Sequence, residues 1–152
     1  MMHMLHRLAA TVATLCIATF LSTTIVVELF GTAESIANLK SLIVWPGLFI
    51  LVPAIALAGM SGFSLAKSRG GSIVRRKKRR MPIIGANGVL ILIPCAIYLD
   101  HVASFGAFDT SFYVIQGVEL IAGAVNLVLM GLNIRDGMKI SGRFRPPASA
   151  NS

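Results

Sequence analysis

Apolar residues are gathered into four long blocks, with short polar segments between them. Each block has about the length that an α-helix needs to cross roughly 30 Å of hydrocarbon. None shows the alternation of apolar and polar residues that marks the strands of a membrane barrel. Because backbone groups in a bilayer must find their hydrogen bonds within the protein, helices are expected. The predicted spans are residues 8–30, 42–63, 83–101 and 112–134.

The spans and their short connections predict an all-α fold. Helices joined by short loops pack as antiparallel neighbours, so we expect a four-helix transmembrane bundle of up-down-up-down topology. Residues 1–142 form one predicted transmembrane domain, and residues 143–152 form a predicted disordered tail of mostly small and polar residues. The composition agrees, because only 13% of the residues are charged, against about a quarter in soluble domains.

The net charge of +8 is concentrated on one side of the predicted membrane. With four crossings, Arg7, residues 64–82 and the residues after the fourth span all face the same way. These segments hold thirteen of the fourteen Lys and Arg residues, and only Lys40 lies on the opposite side. Positively charged segments stay in the cytoplasm, so the N and C termini and residues 64–82 are predicted to be cytoplasmic.

A run of six basic residues lies between the second and third spans: Arg75, Arg76, Lys77, Lys78, Arg79 and Arg80. The run fixes the orientation, and it also suits contact with anionic lipid head groups, at about 1 kcal/mol per basic residue near the surface. Nucleic acid is not an expected partner, because no aromatic side chains interleave with the run to stack on bases.

The fourth span carries a polar stripe on one helical face. Its members follow one another at steps of three and four residues, which keeps them on that face; they are Gln116, Glu119, Gly123, Asn126, Met130 and Asn133. Polar side chains in a membrane turn toward the protein interior, so the stripe should face other helices. It can serve close packing and interhelical hydrogen bonding, or it can belong to a functional site.

A candidate polar site lies in the outer half of the predicted bundle and consists of Glu28, Glu119, Gln116, Asn126 and His101. Glu119 lies roughly 10 Å inside the end of its span, by helix rise. No lysine or arginine is expected at its depth, so we expect a protonated carboxyl group unless water or a cation reaches it. Proton uptake, a divalent metal and a polar small molecule are all compatible with this set.

His6 and His101 are candidate ligands of haem b, since imidazole is a common axial ligand of haem iron. They lie near opposite faces of the predicted membrane, so they cannot bind one haem within a monomer. The alternatives are a haem with a single histidine ligand and a haem shared across a homodimer.

Pro53 and Pro94 lie inside the second and third spans, where each removes a backbone hydrogen bond and is expected to kink its helix. Each proline follows a glycine, Gly47 or Gly88, by six residues in a similar apolar context. This similarity fits either an inverted repeat, as found in transporters, or convergent packing.

Enzyme motifs such as a phosphate-binding loop, a dinucleotide fingerprint, a nucleophile elbow or a zinc-protease motif are absent from the sequence. The class of function that we expect is a non-enzymatic accessory or scaffolding subunit that binds a membrane partner or lipid, as a homo-oligomer or in a larger membrane complex. The alternatives are a haem-binding redox protein using His6 or His101, and a small proton-coupled transporter using Glu28 and Glu119.

Short motifs carry a resemblance to known proteins: Leu5-His6-Arg7 at the opening of the first helix, Gly59-Met-Ser-Gly62 in the second span, Ala86-Asn87-Gly88 in the third, and residues 118–137 in the fourth span and just after it. In this pattern the chain resembles small, uncharacterised four-helix bacterial inner-membrane proteins. That resemblance implies a multi-pass protein of the bacterial cytoplasmic membrane and assigns no activity. The early histidine is also similar to that of the haem-binding CopD-like group, although the third span lacks that group's second intramembrane histidine.

Overall fold

The computed structural model describes residues 1–67 and 71–140. This part of the chain is all-helical and contains no strand, as the sequence predicted. The α-helices are α1 (Met2–Phe30), α2 (Ala33–Leu42), α3 (Phe49–Lys67), α4 (Ser72–Asn87), α5 (Ile93–Ser104) and α6 (Thr110–Ile140). The predicted disordered tail, residues 143–152, lies outside the described residues.

Two π-helical segments join neighbouring α-helices into longer elements. Ile43–Leu48 connects α2 to α3, and Gly88–Leu92 connects α4 to α5. Between residues 1 and 140, apart from the gap at 68–70, four helical elements are therefore long and apolar enough to cross a membrane: Met2–Phe30, Ala33–Leu65, Ser72–Ser104 and Thr110–Lys139. By length and composition, the chain is a multi-pass membrane protein.

The spanning helices are longer than the apolar blocks that predicted them. Residues 33–41, expected in a loop, lie within α2, and the basic residues 75–80, also expected in a loop, lie within α4. The hydrophobic signal stops where polar residues begin, whereas helical hydrogen bonding continues through them. At the start of α2, the Thr32 hydroxyl accepts a hydrogen bond from the Ser35 backbone N–H at 3.3 Å, as an N-cap threonine does.

The second spanning element is interrupted ahead of the proline that the sequence singled out. Trp45 has φ −131° and ψ 111°, so the chain leaves helical geometry there, and the Trp45–Pro46 peptide bond is cis. Pro46 therefore lies at the break, whereas Pro53 lies inside α3. In the third spanning element the π segment comes just before Pro94, which lies in the first turn of α5.

Gly47 and Gly88 lie in the two π segments, and both are buried. A Cβ atom at Gly47 would lie 2.7 Å from Cζ of Phe20 and 3.0 Å from the carbonyl oxygen of Leu42. A side chain at residue 47 would therefore force the Phe20 ring of α1 to move. At Gly88 the nearest atom to a Cβ would be Asn126 Nδ2 at 3.9 Å, an ordinary contact. The glycines of the similar sequences thus both lie where two α-helices join, but the break at Trp45 occurs only in the first of these two segments.

Small residues bring α1 and α3 together. Ala9 and Ala13 on α1 are buried, and so are Ala54 and Ala58 on α3. Each pair is spaced by four residues and so lies on one helical face. Small side chains at this spacing let helix backbones approach closely, which favours association inside lipid. The core cluster around them joins α1, α3, α4 and α6 and consists of Ala13, Ile17, Leu51, Ala54, Ile84 and Met130.

A second core cluster joins α2, α5 and α6 and consists of Ile36, Leu99, Ala103 and Phe112. Outside the two clusters, large apolar side chains stay exposed on the spanning elements, among them Val12, Phe49, Leu90 and Ile121. Apolar surface of this extent is unfavourable in water, but in a bilayer it contacts the acyl chains. The fold therefore buries its polar stripe and leaves its apolar faces to lipid.

Candidate functional site

The polar stripe of α6 faces the interior of the bundle, as predicted. Gln116 and Asn126 are 4% and 0% exposed, whereas Ile121, on another face, is 69% exposed. Asp136, three residues beyond Asn133, extends the stripe and is 2% exposed. Polar residues of other helices contact the stripe at three levels.

At one end of the stripe, Lys40 of α2 donates a hydrogen bond to Glu119. Lys40 Nζ lies 2.7 Å from Oε2 of Glu119, and Gln116 Nε2 donates to the same oxygen at 3.3 Å. Lys40 is 1% exposed. The expectation that no basic residue lies at the depth of Glu119 is therefore wrong, because residues 33–42 form a helix that carries Lys40 into the bundle. We refer to this region as the Lys40 end.

In the middle of the stripe, two asparagines pair across helices. Asn87 Nδ2 donates to Asn126 Oδ1 and to the carbonyl oxygen of Ala122, both at 2.9 Å, and Asn126 Nδ2 donates to the carbonyl oxygen of Ile84 at 3.4 Å. The predicted burial of Asn126 between helices is confirmed. Interhelical hydrogen bonds of this kind stabilise membrane proteins by about 0.6–2 kcal/mol.

At the other end of the stripe, Arg80 of α4 pairs with Asp136. Arg80 Nη1 donates to Asp136 Oδ2 at 2.8 Å, and Arg135 Nε lies 3.9 Å from the other carboxylate oxygen. Sequence reasoning assigned Arg80 to lipid contact and overlooked Asp136 as its partner, although a step of three residues beyond Asn133 was a signal for it. The rise of the helix separates Glu119 from Asp136 by roughly 25 Å. We refer to this region as the Arg80 end.

Unpartnered acceptor atoms lie close to the Lys40 end. Oε1 of Glu28 and Oε1 of Gln116 are buried and have no hydrogen-bond partner within the described residues. Lys40 and Glu119 both lie within electrostatic range of the Glu28 carboxyl group. A small cavity of about 50 Å³, with Thr24 and Glu119 in its lining, adjoins these residues. Two carboxyl groups, one ammonium group and one amide thus form a polar cluster from three helices.

The two histidines lie in different parts of the bundle. His6 Nδ1 lies 3.1 Å from the carbonyl oxygen of Ala58 and 3.2 Å from Ser61 Oγ, where α1 meets α3. His101 is exposed near the end of α5, where its ring packs edge-on against Phe105 with 5.0 Å between the centroids. Within residues 1–67 and 71–140, no group of three or more His, Cys, Asp or Glu side chains is arranged to hold a metal ion.

A cleft of about 1040 Å³ lies between α1, α3, α4 and α6, toward the Arg80 end. Most of its lining is apolar, including Ile55, Phe63, Met81, Ile84 and Met130.

The charged residues that line this cleft are all basic within the described part of the chain. They are Arg7, Lys77 and Lys78, and His3 and His6 lie beside them. Asn133 also lines the cleft, and its buried Oδ1 has no hydrogen-bond partner among the described residues. The six basic residues assigned to lipid contact therefore fall into three groups. Arg80 forms an ion pair, Lys77 and Lys78 line the cleft, and Arg75, Arg76 and Arg79 are exposed outside its lining.

No protein-family model matches the chain, and no curated protein and no solved structure matches it either.

Replacing Lys40 with methionine should destabilise the protein, because it leaves the charge of Glu119 without a partner. Removing one partner of a buried ion pair costs about 3–5 kcal/mol. Adding Glu119→Gln to Lys40→Met should restore part of the lost stability, since both charges of the pair are then removed and neither is left alone. The free energy of unfolding in bicelles, measured by denaturant titration, reports both changes.

Glu34→Gln is the matched control, because Glu34 is an exposed carboxylate on the same helix as Lys40. Its replacement should change the free energy of unfolding by less than about 0.5 kcal/mol. A Lys40→Met effect as small as that of Glu34→Gln would contradict the ion pair. So would a double variant in which the losses of the two single variants simply add.

Proposed function

We propose that the protein is a non-enzymatic accessory or scaffolding subunit of the bacterial cytoplasmic membrane that binds an anionic lipid in the cleft at its Arg80 end. The observation that carries this proposal is the combination of a large apolar space with charged lining residues of one sign. The absence of enzyme motifs from the sequence supports a binding role. A partner membrane protein would then be recruited through, or together with, the bound lipid.

The size and lining of the cleft fit an acyl chain. Its volume of about 1040 Å³ lies at the upper limit of the about 300–1,000 Å³ that is usual for small-molecule sites. Apolar side chains from four helices line it, so burial of hydrocarbon there is favourable. In a bilayer, acyl chains are the apolar groups present at the highest concentration, and they are therefore the natural occupants.

The basic residues select the head group. Arg7 comes from α1, and Lys77 and Lys78 come from α4, so positive charge borders the cleft on two sides. Basic pockets between spanning helices suit acidic phospholipid head groups, at about 1 kcal/mol per basic residue. A hydroxyl group of the head group could donate to the unpartnered Oδ1 of Asn133.

The proposed orientation places the Arg80 end in the cytoplasm, with both termini on that side and an up-down-up-down order of helices. Charge supports it, because the segments that hold thirteen of fourteen Lys and Arg residues then face the cytoplasm. Packing also supports it: His6, early in α1, contacts Ser61, late in α3, as expected of antiparallel neighbours.

Phosphatidylglycerol should bind the purified protein more tightly than phosphatidylcholine does. Replacing Arg7 and Lys78 with glutamine should weaken phosphatidylglycerol binding by roughly 25-fold, since each charge contributes about 1 kcal/mol and each 1.4 kcal/mol is tenfold. Native mass spectrometry of the protein titrated with each lipid in mild detergent measures the affinities.

The matched control replaces Arg75 and Arg76, which are exposed outside the cleft lining, and so removes the same amount of charge. A steric variant, Gly59→Phe, adds a ring at the cleft lining, from a position where an added Cβ atom would meet nothing within 4 Å. It should reduce binding, whereas Gly117→Phe, outside the cleft, should not. Equal losses in the two charge variants would show that lipid binds only diffusely, and would overturn the cleft as its site.

The orientation predicts which residues a membrane-impermeant thiol reagent can reach in intact spheroplasts. In a variant without Cys16 and Cys95, Ser72→Cys should resist labelling, because the positive-inside rule keeps its segment in the cytoplasm. Thr110→Cys should label readily. Rapid labelling at residue 72 together with protection at residue 110 would reverse the orientation.

A further inference from the structure

The Lys40 end has one more negative than positive side chain when all its charged groups are ionised. Glu28 comes from α1, Glu119 from α6 and Lys40 from α2, and Lys40 Nζ already donates to Glu119 Oε2 at 2.7 Å. From α5, the Cys95 thiol lies within electrostatic range of Lys40 and Glu119, and as a thiol it adds no charge. An ionised Glu28 would therefore lack a cation of its own.

Two buried oxygen atoms in this cluster lack a donor. Oε1 of Glu28 is one of them, and Oε1 of Gln116 is the other. Gln116 is 4% exposed, and its amide nitrogen donates to Glu119, so its free oxygen lies beside that carboxylate. A buried acceptor without a donor is unfavourable by about 1–3 kcal/mol. A ligand that brings positive charge and a hydrogen-bond donor would therefore stabilise this cluster.

A proton on Glu28 meets both requirements with the residues present. It removes the unbalanced negative charge and turns one carboxyl oxygen from an acceptor into a donor. A divalent metal ion fits less well, because Mg²⁺ and Ca²⁺ take six or more oxygen ligands, and this cluster offers two carboxyl groups and one amide oxygen.

We propose that Glu28 is a proton-binding site, and that the Lys40–Glu119 ion pair holds the adjacent charge fixed while Glu28 gains and loses its proton. The sequence favoured Glu119 for this role, but Lys40 provides Glu119 with a cation, and the unpaired group is Glu28. This site is independent of the lipid cleft, which lies toward the other end of α6.

A small cavity borders the cluster at Glu119. Its volume of about 50 Å³ exceeds the about 10–15 Å³ that one water molecule requires. Thr24, which contributes to its lining, lies one helical turn before Glu28 on α1, and Glu119 contributes from α6. Water held there would contact Glu119 and Thr24, whereas Glu28 itself does not contribute to the lining.

Infrared difference spectroscopy of the protein in lipid nanodiscs tests the site, with spectra compared between about pH 6 and pH 10. Exposed carboxylates remain ionised throughout this range, so a protonated-carboxyl C=O band at the lower pH reports a shielded group. The wild-type protein should show the band, Glu28→Gln should abolish it, and Glu34→Gln, at an exposed position, should leave it unchanged.

Glu119→Gln provides a second test, which does not depend on whether the Glu28→Gln variant folds. It frees Lys40 to pair with Glu28, so the band should weaken or disappear although Glu28 is still present. A wild-type protein without the band, or a band that persists in Glu28→Gln, would overturn the proposal. Loss of the wild-type band when sodium replaces potassium at constant pH would assign the site to a metal cation instead, and would also overturn it.

Discussion

A polar side chain inside a bilayer is stable only with a partner, because lipid offers no hydrogen bonds, and the structure depends on how α6 meets this constraint. Lys40, Asn87 and Arg80 reach the α6 stripe at three levels, with contacts of 2.7, 2.9 and 2.8 Å. Two of these partners, Arg80 and Asn87, lie on α4, and the third lies on α2. The three contacts fix both the rotation of α6 and its position along its neighbours.

The polar contacts also divide the bundle into two chemically different regions. The Lys40 end contains two carboxyl groups around one ammonium group. In the cleft toward the Arg80 end, the charged side chains among the described lining residues are all basic. The Asn87–Asn126 pair lies between these two regions. Under the proposed function, an anionic lipid would bind toward one face of the membrane and a proton toward the other, with α6 in contact with both proposed sites.

Properties that depend on local periodicity could be predicted from the sequence. Hydrophobicity located the four spanning elements, and steps of three and four residues located the buried face of α6. The position of Lys40 could not be predicted in this way, because it depends on a helix that continues through a segment of loop-like composition. The step of three residues beyond Asn133 was a signal for Asp136, but a run of six basic residues gives no sign of which one meets it.

Cross-linking across the middle of the stripe tests most directly whether α6 is held in this register. In a protein without Cys16 and Cys95, the pair Asn87→Cys and Asn126→Cys should react rapidly with a short thiol-specific cross-linker in native membranes, because the two asparagine side chains are 2.9 Å apart. The pair Asn87→Cys and Val125→Cys should react slowly, because Val125 lies on the exposed face of α6. Equal rates, or a faster reaction at residue 125, would contradict the account.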